Sequence, residues 1–174
     1  MQAIVAVDES WGIGYNNNLL FSIPEDIRYF TDFTRHKVVV MGRRTLNSLP
    51  GSKPLKDRIN IVMSNDKSFK TDSATVCFSV ERLFYEIKDY NPNDVIVIGG
   101  QTVYEQLIDY CSAAHVTKVK KTGKADRFFP NIDLLENWKV KSVSEEKEYN
   151  NIKYAFYVYC NENTKQPDLT TEVS

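Results

Sequence analysis

The stretches KVVVMGRRTLNSL (37–49) and NDVIVIGGQTVYEQL (93–107) each run from a short apolar segment through glycine into a segment of helical character. A buried strand that feeds a helix through glycine brings backbone N–H groups and a helix N-terminus up to a ligand's phosphates with no Cβ in the way. A dinucleotide is the obvious candidate, although neither stretch carries GxGxxG, and such a turn is often only a tight connection. Working outward by hydrophobic period, strands are expected at 2–8, 38–41, 59–63, 74–78, 95–98, 113–120, 138–144 and 152–160. Helices are expected at about 25–35, 43–49, 80–89 and 101–109. Strands alternate with helices as far as Tyr110, and only strands follow. This order predicts an α/β fold: one domain, a central, mostly parallel sheet of about eight strands with an antiparallel C-terminal strand, and four flanking helices. Residues 9–23, ESWGIGYNNNLLFSI, read as a long irregular loop of the kind that serves as a lid. NENTKQPDLTTEVS (161–174) reads as a polar tail that adds nothing to a core domain over 1–160.

The chain has 174 residues, 42% of them hydrophobic, enough to fill one core. Its formal net charge of -1, with both signs interspersed, leaves no footprint for nucleic acid or an anionic membrane. The N-terminus lacks a basic segment followed by a long apolar stretch, and no apolar run approaches the length of a membrane span. The expectation is a cytoplasmic monomer acting on small molecules. Cys77, Cys111 and Cys160 are not in CxxC spacing, and His36 and His115 stand alone, so no metal site is expected. Thiol catalysis is not expected either, since Cys77 and Cys160 lie in apolar strand-like runs.

SIPEDIRYFTDFTRH (22–36) reads as a helix with a Ser22/Glu25 capping box and Pro24 in its first turn. At 100° per residue, Phe30, Phe33 and Tyr29 lie within about 60° of Asp26, and Ile27 lies about 100° away. Asp26 is thus centred on the apolar stripe. A first-turn carboxylate is favoured by the helix dipole wherever it points. One that points toward the core costs several kcal/mol unless it is paired, and no basic residue shares the stripe. A ligand with N–H donors would supply the partner, which marks Asp26 as a functional acid.

Taken in order, AIVAVD (3–8), IG (13–14), PEDIRYF (24–30), VMGRRT (40–45), SLPGSKPL (48–55), RINIVMS (58–64), VIGGQTVYEQ (97–106), VTKV (116–119) and ADRFFP (125–130) resemble the dihydrofolate reductase family. The resemblance implies reduction of 7,8-dihydrofolate to 5,6,7,8-tetrahydrofolate by NADPH, with hydride delivered to C6 and a proton to N5. Asp26 matches the family's acid, which holds the pterin's amino and ring N–H groups. Val5, Ile27, Phe30 and Leu49 match walls of the substrate pocket. Arg58 matches the clamp on the glutamate α-carboxylate, and Thr117 the hydroxyl that supports the acid and the pterin amine. Toward the cofactor, Gly42, Arg43, Arg44, Thr45, Ser64 and Asn65 match positions around the adenosine phosphates, with Arg43 and Ser64 near the 2′-phosphate. Ile98, Gly99, Gly100, Gln101, Thr102 and Val103 match the turn beneath the pyrophosphate, while Ala6, Ile13, Gly14 and Tyr104 match the nicotinamide pocket.

The chain departs from the pattern at Leu20-Phe21, where the family usually has Pro-Trp, and at Arg127, where a threonine is usual. The first change removes an indole N–H and a proline from the loop before the Asp26 helix. Two other readings remain at this point: a pyrimidine reductase of riboflavin synthesis, and a silent NADPH- or folate-binding module.

Overall fold

The computed structural model describes residues 1–169. Its strands are β1 Gln2–Val7, β2 Gly12–Tyr15, β3 Asn18–Leu19, β4 Val38–Gly42, β5 Ile59–Met63, β6 Thr75–Cys77, β7 Val95–Gly99, β8 Ala113–Val119, β9 Arg127–Phe128, β10 Trp138–Val143, β11 Lys147–Tyr149 and β12 Ile152–Asn161. The helices are α1 Pro24–Thr34, α2 Arg43–Ser48, α3 Val80–Ile87 and α4 Gln101–Leu107. The main sheet runs β10-β12-β8-β1-β7-β4-β5-β6, with β11 added on β12. From β8 to β6 every pairing is parallel, while β10, β11 and β12 pair antiparallel.

The continuous apolar run of β4 is what a strand covered on both faces requires. Val38 and Val40 point into the larger core cluster, and Val39 and Met41 join Leu46 and Val62 on the other face. Since β4 and β7 run parallel, both strand-glycine-helix turns lie at the carboxyl edge of the sheet. Because β4 and β7 are neighbours, with Met41 opposite Gly99, the two turns lie side by side.

Three expectations need correction. Residues 9–23 are not wholly irregular: β2 and β3 form a hairpin that also pairs with β9. Asn16 and Asn17 take positive φ, 49° and 61°, in its two-residue turn, which asparagine tolerates. The strand that stabilises the hairpin comes from more than a hundred residues later, so no local period announces it. The Ser22/Glu25 capping box does not form, because the N-cap is Ile23, without a side-chain cap bond. Ile23 is drawn into a small core with Val119 and Tyr154, which starts the helix one residue late for Ser22. Glu25 instead accepts from the Tyr154 hydroxyl at 2.6 Å and pairs with Lys147 at 2.9 Å. Beyond Tyr110 the chain is not strand alone, since a short 3-10 turn covers Ile132–Leu134.

Of the segment 161–174, residues 170–174 lie outside the described residues. Asn161 closes β12, and its side-chain amide donates to the Cys111 carbonyl at 3.0 Å. Lys165 bonds Asp109 through its backbone N–H at 2.9 Å and its ammonium at 2.5 Å.

Candidate active site

Asp26, at the third position of α1, is half-buried and accepts a 2.6 Å hydrogen bond from the Thr117 hydroxyl on β8. Burial pushes its carboxyl above the ordinary carboxylate range, and the Thr117 bond opposes that rise. The partner that the chain itself supplies is a neutral hydroxyl, at the Thr117 position that the resemblance implied, and the other carboxylate oxygen accepts no hydrogen bond among the described residues. Ala6 sits directly opposite Thr117 and Val5 opposite Val116 on the adjacent strand. The Tyr104 hydroxyl donates to the Ile4 carbonyl at 2.7 Å, which joins α4 to this part of β1.

The apolar stripe of α1 is not core in the ordinary sense. Thr34 is the fully buried residue of the helix, while Phe30, Tyr29 and Phe33 are half-buried and Ile27 remains 47% exposed. An apolar helix face left this open is the kind of surface that lines a ligand groove. Leu49, half-buried at the C-cap of α2, packs against the cluster of Val39, Met41, Leu46 and Val62.

Arg58 lies at the opposite end of α1 from Asp26. Its guanidinium donates to the Thr31 carbonyl at 2.9 Å, to the Thr34 hydroxyl at 3.2 and 3.1 Å, and to the Lys56 carbonyl at 2.6 Å. Eight residues of helix separate Asp26 from Thr34, about 12 Å at 1.5 Å per residue. One helix thus sets an acid and a fixed guanidinium about 12 Å apart along a half-open apolar face, a candidate groove for a ligand.

The glycine turns form a second area. Gly99 takes φ 117°, a conformation that L side chains rarely adopt, and the Gly99–Gly100 peptide is cis. A Cβ on Gly100 would lie 3.3 Å from the Thr45 hydroxyl, so each turn approaches the other closely. Gly42, Arg43, Arg44 and Thr45 open α2, and Gln101, Thr102 and Val103 follow the second turn after Ile98. Ser64 is buried just past β5, and Asn65 beside it is exposed. Ile13 and Gly14 lie on β2; the hairpin is tied to α4 through β9, whose Phe128 N–H donates to the Gln101 side-chain carbonyl at 2.9 Å. Asp8 pins the base of the hairpin by accepting from the N–H groups of Ser10 at 2.8 Å, Gly12 at 2.7 Å and Gly123 at 2.9 Å. Phe21 packs on the small core of Ile23, Val119 and Tyr154. A hollow of about 540 Å³ bordered by residues of 15–22, Lys121, Gly123, Lys124 and Ile152 shares no lining residue with Asp26 or the glycine turns.

Two groups escaped the sequence reading. His115, two residues before Thr117 on β8, meets the Tyr29 hydroxyl at 2.7 Å and Gln2 at 2.9 Å. Burial, then the nearby Lys37 and Lys141 charges, pushes its pKa down to about 4. Its two-residue offset from Thr117 on one strand was the available signal. Asp66 pairs with Arg43 at 2.6 Å, and no periodicity marks an acid in a loop.

The family model for dihydrofolate reductase matches residues 1–161. A dihydrofolate reductase of Staphylococcus aureus is 33% identical over 158 residues, covering 90% of this chain and 94% of that protein. The enzyme of Staphylococcus haemolyticus is 30% identical over 158 residues, covering 90% and 92%. Among solved structures, dihydrofolate reductase from Enterococcus faecalis complexed with NADP(H) and RAB-propyl superposes with a TM-score of 0.82 at 29% identity, covering 92% of this chain and 95% of that one. Matched in sequence over residues 1–161 and in fold over 92% of its length, this chain belongs to the dihydrofolate reductase family.

Proposed function

We propose that this chain reduces 7,8-dihydrofolate to 5,6,7,8-tetrahydrofolate with NADPH, with Asp26 as the acid that serves N5 protonation. The observation that carries the reading is Asp26 on its single neutral partner, Thr117, at the head of a groove that ends in Arg58. A dihydropterin's 2-amino and ring N–H groups complete the carboxylate's hydrogen bonding. Ile27, Phe30, Leu49 and Val5 cover the apolar body of the substrate, and Arg58 takes the glutamate α-carboxylate in a planar two-point contact. Because the carboxylate grips the amino edge of the pterin, it acts on N5 through the ring and through water rather than by direct contact.

The glycine turns fit a dinucleotide. From Thr117 on β8 to Ser64 past β5 the sheet edge crosses β1, β7 and β4, about 19 Å at 4.7–4.9 Å per strand gap. Ala6, Ile13, Gly14 and Tyr104 line the nicotinamide end; Ile98 through Val103 cradle the pyrophosphate; Gly42 through Thr45, Ser64 and Asn65 take the adenosine end. NADPH, when bound, supplies the hydride. We take the catalytic domain to span 1–160 and the chain to act as a monomer. The three cysteines are free, in keeping with a reducing cytoplasm.

The test is Asp26→Asn. Hydride transfer at neutral pH falls roughly 10²- to 10⁴-fold, the range for a lost acid/base group, and residual activity climbs as pH falls because solvent then protonates the dihydropterin. Near-normal single-turnover rates in the variant from about pH 5 to 8 would sink the role of Asp26. A wild-type chain that oxidises NADPH no faster with dihydrofolate than without it would sink the activity itself.

A further inference from the structure

The adenosine end of the proposed cofactor site holds a carboxylate among its phosphate-binding groups. Arg43, assigned above to the 2′-phosphate, gives its guanidinium to Asp66 at 2.6 Å. The second oxygen of Asp66 accepts from the Ser68 N–H at 3.0 Å and the Ser68 hydroxyl at 2.6 Å, so the side chain has a fixed position. Ser64, the other group assigned to the phosphate, accepts from the Asp66 N–H at 3.2 Å. Both phosphate ligands therefore converge on a residue of the phosphate's own sign. Hydrogen bonds from Ser68, then the pairing with Arg43, hold the Asp66 carboxyl below its ordinary range, so it is charged at neutral pH. Among dinucleotide sites in general, a carboxylate at this point suits a ribose 2′-hydroxyl and an arginine suits a 2′-phosphate. This chain presents both in one ion pair.

Resting on the assignment of the cofactor site above, we propose that Asp66 is a specificity-determining residue that weakens discrimination between NADPH and NADH. With NADPH, the 2′-phosphate must take Arg43 from Asp66 or share it beside a like charge. With NADH, the Arg43–Asp66 pair stays intact and the carboxylate faces the free 2′-hydroxyl. Arg43 does not need Asp66 to stay in place, because its guanidinium also lies over the Phe69 ring, 5.6 Å from the centroid. Removing the acid therefore frees the arginine without releasing it.

Asp66→Asn is the informative change, since the amide keeps an acceptor for Ser68 and loses the charge. Equilibrium titration of wild type and variant with NADPH and with NADH, at one ionic strength, reads binding without turnover. The expected result is NADPH affinity raised about 10-fold, the order Coulomb's law gives for one charge several Å from a dianion in water, with NADH affinity changed less than about 2-fold. Raising salt should shrink the gain, as screening requires. Asp66→Ser, which also lacks the charge, should show the same selective gain. NADPH affinity that is unchanged or lower in both variants, or equal gains for the two cofactors, would overturn the role of Asp66 while leaving the cofactor site standing. Wild-type protein that binds neither cofactor would overturn the site assignment and this inference with it.

Discussion

Replacing Arg58 with leucine separates the carboxylate clamp proposed for it from the structural bonds that it makes to Thr31, Thr34 and Lys56. On the substrate side, a guanidinium facing a carboxylate makes paired charge-assisted bonds worth about 2 to 3 kcal/mol when half-buried, as Arg58 is. At 1.4 kcal/mol per decade, Arg58→Leu weakens dihydrofolate binding by about 30- to 100-fold. A dihydropterin without the glutamate has no carboxylate to lose and binds nearly as before. On the structural side, the change removes the donors to the Thr31, Thr34 and Lys56 oxygens. The cost stays modest because the Thr34 hydroxyl keeps its own bond to the Phe30 carbonyl at 2.8 Å. A loss of about 1 kcal/mol, or about 2 to 4 °C in Tm for a chain of this size, is expected. Equilibrium titration with both ligands, beside a thermal melt, reads the two effects independently. Equal weakening of both ligands, or unchanged dihydrofolate affinity, would refute the clamp and leave Arg58 as a tie on the end of α1.

Thr117→Val removes the one bond that opposes the upward push of burial on Asp26, so the fall in hydride-transfer rate with rising pH moves to higher pH; an unmoved midpoint would detach Thr117 from the acid. His115 titrates near 4 in the folded chain and near 6.5 when unfolded, so protons favour the unfolded state between those values. Stability is complete above about pH 6.5 and declines toward pH 4 by about 2 to 3 kcal/mol, and urea midpoints should show His115→Gln losing less over that window.

The parallel core was legible because its evidence is local: β4 and β7 are unbroken apolar runs that end in glycine, and their periods and punctuation lie within a dozen residues. Asp26 was legible because a helix has a fixed angular period, so a misplaced carboxylate can be located without knowing what it faces. What it faces could not be read. The stripe around it borders an open groove rather than the core, and only the packing of α1 against β8 decides that. The β2-β3-β9 sheet escaped notice because its decisive pairing joins Gly12 to Phe128. The Asn16-Asn17 turn did carry a readable signal, as did Asn150-Asn151, whose residues repeat the positive φ values between β11 and β12. The capping box failed for the opposite reason: a correct local pattern was overruled by burial of Ile23.

The half-open face of α1 bears on how long the molecule survives as well as on what it binds. Ile27, Phe30 and their neighbours are apolar surface that the chain alone leaves partly wet, so a ligand in the groove supplies the missing wall of a hydrophobic interior. Folding and occupancy then become one mass-action equilibrium: ligand at a hundred times its Kd adds about 2.7 kcal/mol to the free energy of unfolding. In a variant near its stability limit, the folded fraction would follow the supply of substrate, so a mutation that loosens the fold would be felt most when that supply runs low.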